Sequence, residues 1–328
     1  STFSRDTEMF NLFKISVNAF RESLREPVYF LMLLAALLLI GHYPSIAIFV
    51  FFEQMKLVVD SSMATGLVFS LLVAILCASH TVSREMRNGT VLLLLSKPVQ
   101  RWSFILGKII GIVCASALFA LLCNLATIIS VYIAVDQFRF DLVLYYSFLG
   151  LLFLSSAICM LFNFWKGSSF PEVATYATLI FVGAFAIYCK FTQPIPENVI
   201  VGDLVRALAM VNLAVVAMST IAVVGAINLD VVPNLCVCTV VFFMGLVSSY
   251  LFQRQTDSEM VNVIFSTLYA VLPNWQFFWL ADAIAVQRTI PYSYVVNAAV
   301  YVALYVVLLS MWAVALFQNK EVAGDVRN

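Results

Sequence analysis

The chain has 328 residues, of which 63% are hydrophobic and only 11% charged, against about 25% charged in a typical soluble domain. Its 18 basic and 18 acidic residues cancel, which leaves no basic surface for nucleic acid, and a mean hydropathy of +0.99 places the chain in a bilayer. No stretch long enough to fold by itself in water separates the apolar segments.

Residues 1–27 form the first unit. Phe10, Phe13, Val17, Phe20 and Leu24 recur at three- and four-residue steps, while Asn11, Lys14, Asn18, Arg21 and Arg25 take the other side. This is the pattern of an amphipathic helix, ended by Pro27. An aromatic face opposite lysine and arginine suits a helix lying in the membrane interface. The first residues lack the apolar core and cleavage site of a signal peptide.

Residues 28–328 read as one all-α, polytopic transmembrane bundle. A crossing takes about 20 apolar residues, and on that ruler there are about eight spans: 28–46, 62–82, 108–134, 142–164, 173–190, 205–228, 231–252 and 294–317. Only Asn228, Leu229, Asp230 and Pro233 mark the boundary between the sixth and seventh, which predicts a tight turn. With the N-terminus inside, the outer segments hold Lys56, Arg139, Lys190, Arg206, Arg254 and Arg288. The inner ones hold the remaining lysines and arginines, roughly twice as many, so the positive-inside rule favours an N-in, C-in topology.

Between the second and third spans lies a charged island, residues 83–108, SREMRNGTVLLLLSKPVQRWSFILGK. The second span is expected to continue as helix through Arg84, Glu85 and Arg87, with Gly89 just past its end. Thr90 to Leu95 is apolar and must lie against the membrane or a partner. Ser96 is placed to cap a new helix with Pro98 in its first turn, which runs through Arg101 into the third span. The result is a rigid knuckle joining two spans.

Beyond it, Gly107, Gly111 and Ala115 fall at four-residue steps, a spacing that permits close helix contact in lipid. Asn124, Asn163, Asn212 and Ser219 are polar groups inside spans, expected to bond between helices or onto their own. Residues 253–293 form the longest stretch outside the spans and are expected as an external loop on the outer side of the membrane. Within it, Trp275, Phe277, Phe278 and Trp279 are expected to anchor at the headgroup level. The seven cysteines read as small buried hydrophobes, and Cys236 and Cys238, two apart, cannot share a helix face. His42 and His80 fall on opposite sides of the membrane, so neither a metal site nor a catalytic triad is expected.

The order E-x-x-x-G-T, then L-L-S-K-P-V-x-R, then F-x-L-G-K in residues 85–108 resembles the permeases of ATP-binding-cassette (ABC) exporters of the type-2 class. The resemblance implies that this stretch is a cytoplasmic coupling element seated on an ATPase subunit. Arg84, Glu85, Arg87 and Arg101 would meet the ATPase, Gly89, Ser96 and Pro98 would set the backbone, and Thr90 and Lys97 lie in the same interface. It also makes the first amphipathic helix an elbow flanking that contact, with Phe10, Phe13, Phe20, Arg21 and Arg25 as its interfacial residues. The partners implied are an ABC ATPase, a second permease copy or paralogue, and membrane lipid, in a bacterial inner membrane.

The family's six-span core makes residues 142–190 an apparent addition. No G-x-x-x-x-G-K-[ST] loop occurs, so this chain binds no cofactor itself, and ATP with Mg enters through the ATPase subunit. The alternatives are a structural or anchoring membrane subunit carrying a relic coupling motif, and a secondary transporter or channel. The second is disfavoured by the scarcity of charge in the span centres.

Overall fold

The computed structural model describes residues 2–50, 53–87, 101–134, 139–194, 199–252 and 259–325, which are helical with short connections and no strand. A first helix, α1 (Thr2–Arg25), leads into α2 (Pro27–Ile46). The amphipathic helix ends just before Pro27, as expected, and Pro27 opens the next helix, where its missing N–H costs no bond. α3 (Gln54–Ala78) runs on through a π turn, Ser79–Ser83, into the four-residue α4 (Arg84–Arg87). There follow α5 (Arg101–Ile133), α6 (Leu142–Lys166), α7 (Phe170–Thr192), α8 (Val201–Ala226), α9 (Val231–Phe252), α10 (Glu259–Val271), α11 (Ala281–Ala285) and α12 (Tyr292–Asp325).

Eight of these helices are long and apolar enough to cross a membrane: α2, α3, α5, α6, α7, α8, α9 and α12. Each coincides with one of the eight spans read from the sequence. Three form the centre. In α3, α5 and α8, 61%, 61% and 72% of the most apolar window is buried, against 22% in α9 and in α12. The outer helices therefore turn most of their apolar side chains to the bilayer, where lipid covers them at no hydrophobic cost.

Without water in the hydrocarbon, every interior polar group needs a protein partner. Tyr29 Oη donates to the carbonyl of Ala115 (2.8 Å), Asn124 Nδ2 to that of Leu208 (3.1 Å), and Ser130 Oγ to that of Ile40 (2.7 Å), joining α2, α5 and α8. Ser219 bonds back onto its own helix at Val216. Cys236 is exposed and Cys238 buried, as their spacing requires.

α1 packs along α5, and the reason lies in the glycines. A Cβ on Gly107 would meet Ile15 Cγ2 at 2.6 Å, and one on Gly111 would meet the backbone oxygen of Ser16 at 2.5 Å and Ala19 Cβ at 2.6 Å. So close an approach selects small residues on α1, and Ser16, Ala19 and Ser23 form its buried face. The two hydroxyls are satisfied by donating to Leu12 and Ala19 one turn back. The expected aromatic stripe lies beside this contact. Leu24 is buried and Phe20 packs at the edge of the core, but Phe10 and Phe13 stand exposed, one step round the helix from the contact.

At the far end of the bundle from α4, Asp203 is buried at the start of α8. Its Oδ1 accepts the Ile290 N–H (2.9 Å) and a close bond from Arg206, which also donates to the Ile290 carbonyl (2.9 Å) and lies over the Tyr292 ring. This clasp holds the approach to α12 against α8. The expected aromatic anchor is only partly one. Trp275 and Phe278 are buried against Phe242 and Tyr301, because residues 273–278 fold back onto α9 rather than outward, and only Phe277 is well exposed.

Gly111→Val forces α1 off α5 and is expected to cost about 1–3 kcal/mol. Thermal unfolding in detergent should show a clear fall in midpoint for this variant. Gly150→Ala, where an added Cβ meets nothing within 4 Å, should show none.

Candidate functional site: a charge-tied end of the bundle

The helix of the second span does not stop at the span's edge. It continues through the π turn Ser79–Ser83, and α4 carries Arg84 and Glu85 beyond the apolar stretch. Arg84 is exposed, whereas Glu85 points inward. Its Oε1 accepts from Lys108 Nζ at 2.9 Å, and the same ammonium donates to Glu22 Oε2 at 3.0 Å. Lys108 is 5% exposed. One buried cation thus ties α1, α4 and α5 together.

The chemistry makes this tie obligatory. An ammonium taken out of water costs several kcal/mol unless counter-charges and hydrogen bonds replace its hydration. Two carboxylates from two other elements supply them, so Lys108 stays buried only while α1 and α4 stay in place. The Glu85 carboxyl is pushed above its usual range by burial, drawn part of the way back by the Lys108 ammonium, and pushed up again by the nearby Glu22 charge.

Two further ties join α7, α8 and α9 to this end. Ser83 Oγ shares its one proton between the carbonyls of Ala226 (2.9 Å) and Leu229 (2.8 Å), at the C-terminus of α8 and in the turn beyond it. That turn is as tight as the sequence suggested, with the Leu229 N–H bonded to the Gly225 carbonyl (2.9 Å). Fully buried Asn234 in α9 completes the junction, its Nδ2 donating to Ser79 Oγ (3.1 Å) and to the Ala222 carbonyl (3.0 Å). The π turn is therefore clasped to the α8–α9 hairpin.

The other tie is ionic. Glu172, in the first turn of α7, accepts from Arg25 Nε (2.7 Å) and from Ser169 Oγ (2.9 Å), with Arg21 at 3.9 Å. The short α6–α7 connection that positions it begins at Gly167, whose φ of 61° suits a residue without a side chain and whose N–H caps Asn163 (2.9 Å).

Of the residues expected to meet an ATPase, Arg84 is exposed at this end and Glu85 is paired with Lys108. Arg87 closes α4 and Arg101 opens α5. Gly89, Thr90, Ser96, Lys97 and Pro98 lie outside the described residues. Of the elbow residues, Arg21 and Arg25 face Glu172, and the phenylalanines are placed as above. Sequence reasoning missed Glu22, Glu172 and Ser83. Glu22 becomes findable only once α1 is known to cover the Gly107 stripe, because the buried lysine next to Gly107 then needs an acid on α1. Among the described residues no cluster of His, Cys, Asp and Glu could hold a metal ion.

Residues 24–183 match the family model described as ABC-2 family transporter protein. That match spans just under half of the chain, which in this stretch is similar to ABC-2 permeases. With its eight apolar helices, the chain is an integral, multi-pass membrane protein. The ABC-2 match takes in α2 to α6 and more than half of α7, so residues 142–183, expected as an addition to the family core, lie inside the matched region. No curated protein matches the chain.

Changing both Glu22 and Glu85 to glutamine leaves the buried Lys108 without a counter-charge. The expected cost is about 3 kcal/mol, the low end of the range for a broken buried pair, because Glu22 is partly in water. Adding Lys108→Met to the double variant should restore most of the thermal midpoint. A triple variant no more stable than the double would show that the charges do not hold this end together.

Proposed function

We propose that this chain is the permease subunit of an ABC exporter and that the α4 end is where a separate ATPase drives it. The observation that carries the reading is the Lys108 tie. It joins α1 and the two helices that enter and leave residues 88–100 into one unit, so a force applied there moves all three. Ser83 and Asn234 extend the unit to α8 and α9, two central or adjoining spans.

The match of residues 24–183 to the ABC-2 family supports the partner class, since such permeases generally associate with an ABC ATPase. In this reading the α4 end is cytoplasmic. Lys14, Arg21, Arg25, Arg84, Arg87, Arg101, Lys108 and Lys166 belong to the elements at that end, and Lys56, Arg139, Lys190, Arg206 and Arg288 to those at the other, a bias of the kind that sets topology. α1 is then an elbow in the inner interface, with Phe10 and Phe13 toward lipid and Arg21 and Arg25 held by Glu172. The chain binds no nucleotide. ATP and Mg act in the ATPase subunit, a second permease copy or paralogue completes the transporter, and substrate leaves a bacterial inner membrane outward.

Purification from native membranes in mild detergent is expected to recover a P-loop ATPase with this chain. Charge reversal at Arg84, Arg87 and Arg101 together should bring ATP hydrolysis down toward that of the ATPase alone while the permease still folds. Recovery of other membrane proteins without an ATPase, or unchanged hydrolysis in the reversed variant, would overturn the reading in favour of a structural subunit.

A further inference from the structure

At the far end of the bundle, residues 273–278 form a fixed shelf on α9. Buried Asn274 donates from Nδ2 to Ser249 Oγ (2.6 Å) and accepts the Gln276 N–H (3.0 Å), and Gln276 Nε2 donates to the Leu246 carbonyl (2.9 Å). Trp275 lies over Gly245, where any side chain would strike it. The first turns of α12 pass beside this shelf and are fastened to it by Tyr294 Oη, which donates to the Phe277 carbonyl (2.8 Å).

Between shelf and helix is a cavity of about 440 Å³, within the range of small-molecule sites. Its walls are the rings of Tyr269, Phe277, Phe278, Tyr294 and Tyr301, with the carboxamide of Asn297. Tyr294, Asn297, Ala298 and Tyr301 fall at i, i+3, i+4 and i+7, so α12 presents one continuous face to it.

Three features define what fits. None of the described residues lining the cavity is charged, so an ion entering it loses hydration and gains no counter-charge. Asn274 and the Tyr294 hydroxyl are already committed to the protein, while Asn297 and Tyr301 form no side-chain hydrogen bond among the described residues and offer an amide and a hydroxyl. Val296, Val300 and Leu304 are exposed on the flank of the same helix, so the mouth lies beside the hydrocarbon.

We infer that the cavity is a binding site for an uncharged amphiphile drawn from the bilayer, with an apolar body and a single hydroxyl, ester or amide head. The rings hold the body, and Asn297 and Tyr301 bond the head. The inference rests on the membrane placement of the chain and not on ATPase coupling, so it is tested without nucleotide or partner.

The test uses the full chain in nanodiscs and radiolabelled 1-monooleoylglycerol. Saturable binding is expected. Ala298→Trp, which fills the cavity, should abolish it, and Asn297→Ala with Tyr301→Phe should weaken it about tenfold, the size of one or two lost hydrogen bonds. Oleate, which has the same chain and a charged head, should compete poorly. Non-saturable partitioning, equal competition by oleate, or unchanged binding in Ala298→Trp would each overturn the assignment. If the wild type binds nothing and Ala298→Trp changes only the oligomeric state, the cavity is a contact for a second copy and the proposal fails.

Discussion

A buried ammonium that must be neutralised from two directions is the constraint on which the architecture of this protein turns. Lys108 lies one residue beyond Gly107, on the part of α5 that α1 covers, where water cannot reach it. Its charge remains tolerable only because Glu22 and Glu85 approach from α1 and α4. Packing and charge act together here. The glycines let α1 close enough to bring Glu22 within reach, and the ion pair stops α1 from sliding away along a stripe of small, weakly gripping residues. Neither alone fixes the helix, since small-residue contacts in lipid carry little directional preference and a lone pair at the surface is worth little.

The rest of the bundle divides into a stiff centre and a lipid-facing rim. α3, α5 and α8 are buried, and α5 is cross-linked to α2 and α8 by polar bonds that cannot exchange with water. Each end has its own fastening. The Lys108, Ser83 and Glu172 ties hold the α4 end, and the Asp203–Arg206 clasp on Ile290 holds the other. A displacement introduced between α4 and α5 is therefore carried to α1 by charge and to the α8–α9 hairpin through the π turn. Such a turn has one surplus backbone carbonyl to place and is a natural point for a helix to change direction.

Much of the fold was legible because hydropathy reports bilayer crossings directly. All eight spans and the tight turn near Asn228 follow from lengths of apolar sequence, and Gly107, Gly111 and Ala115 announced a close helix contact. What covered that stripe was not legible. Periodicity sets the Phe10, Phe13 and Phe20 stripe toward the membrane interface, but it does not single out Ser16, Ala19 and Ser23 as the face that fits against glycine. In lipid the usual equation of apolar with buried fails, so the phenylalanines can stay outside. The site was legible in part for the same reason. Basic residues near a span end read as a solvated loop, and nothing in composition separates Lys108, which is buried, from Arg84, which is exposed. Glu172 and Ser83 act on residues 147 and 143 positions away, a separation beyond the reach of local pattern.

Hydrogen–deuterium exchange, compared between the wild type and Lys108→Met, addresses the central claim most directly. If Lys108 ties the α4 end into one unit, the amides of residues 12–24 and of the 79–83 turn lose protection together, while those around Asp203 and Ile290 keep theirs. Unchanged protection in α1 and the π turn, or an even loss across both ends of the bundle, would contradict the account.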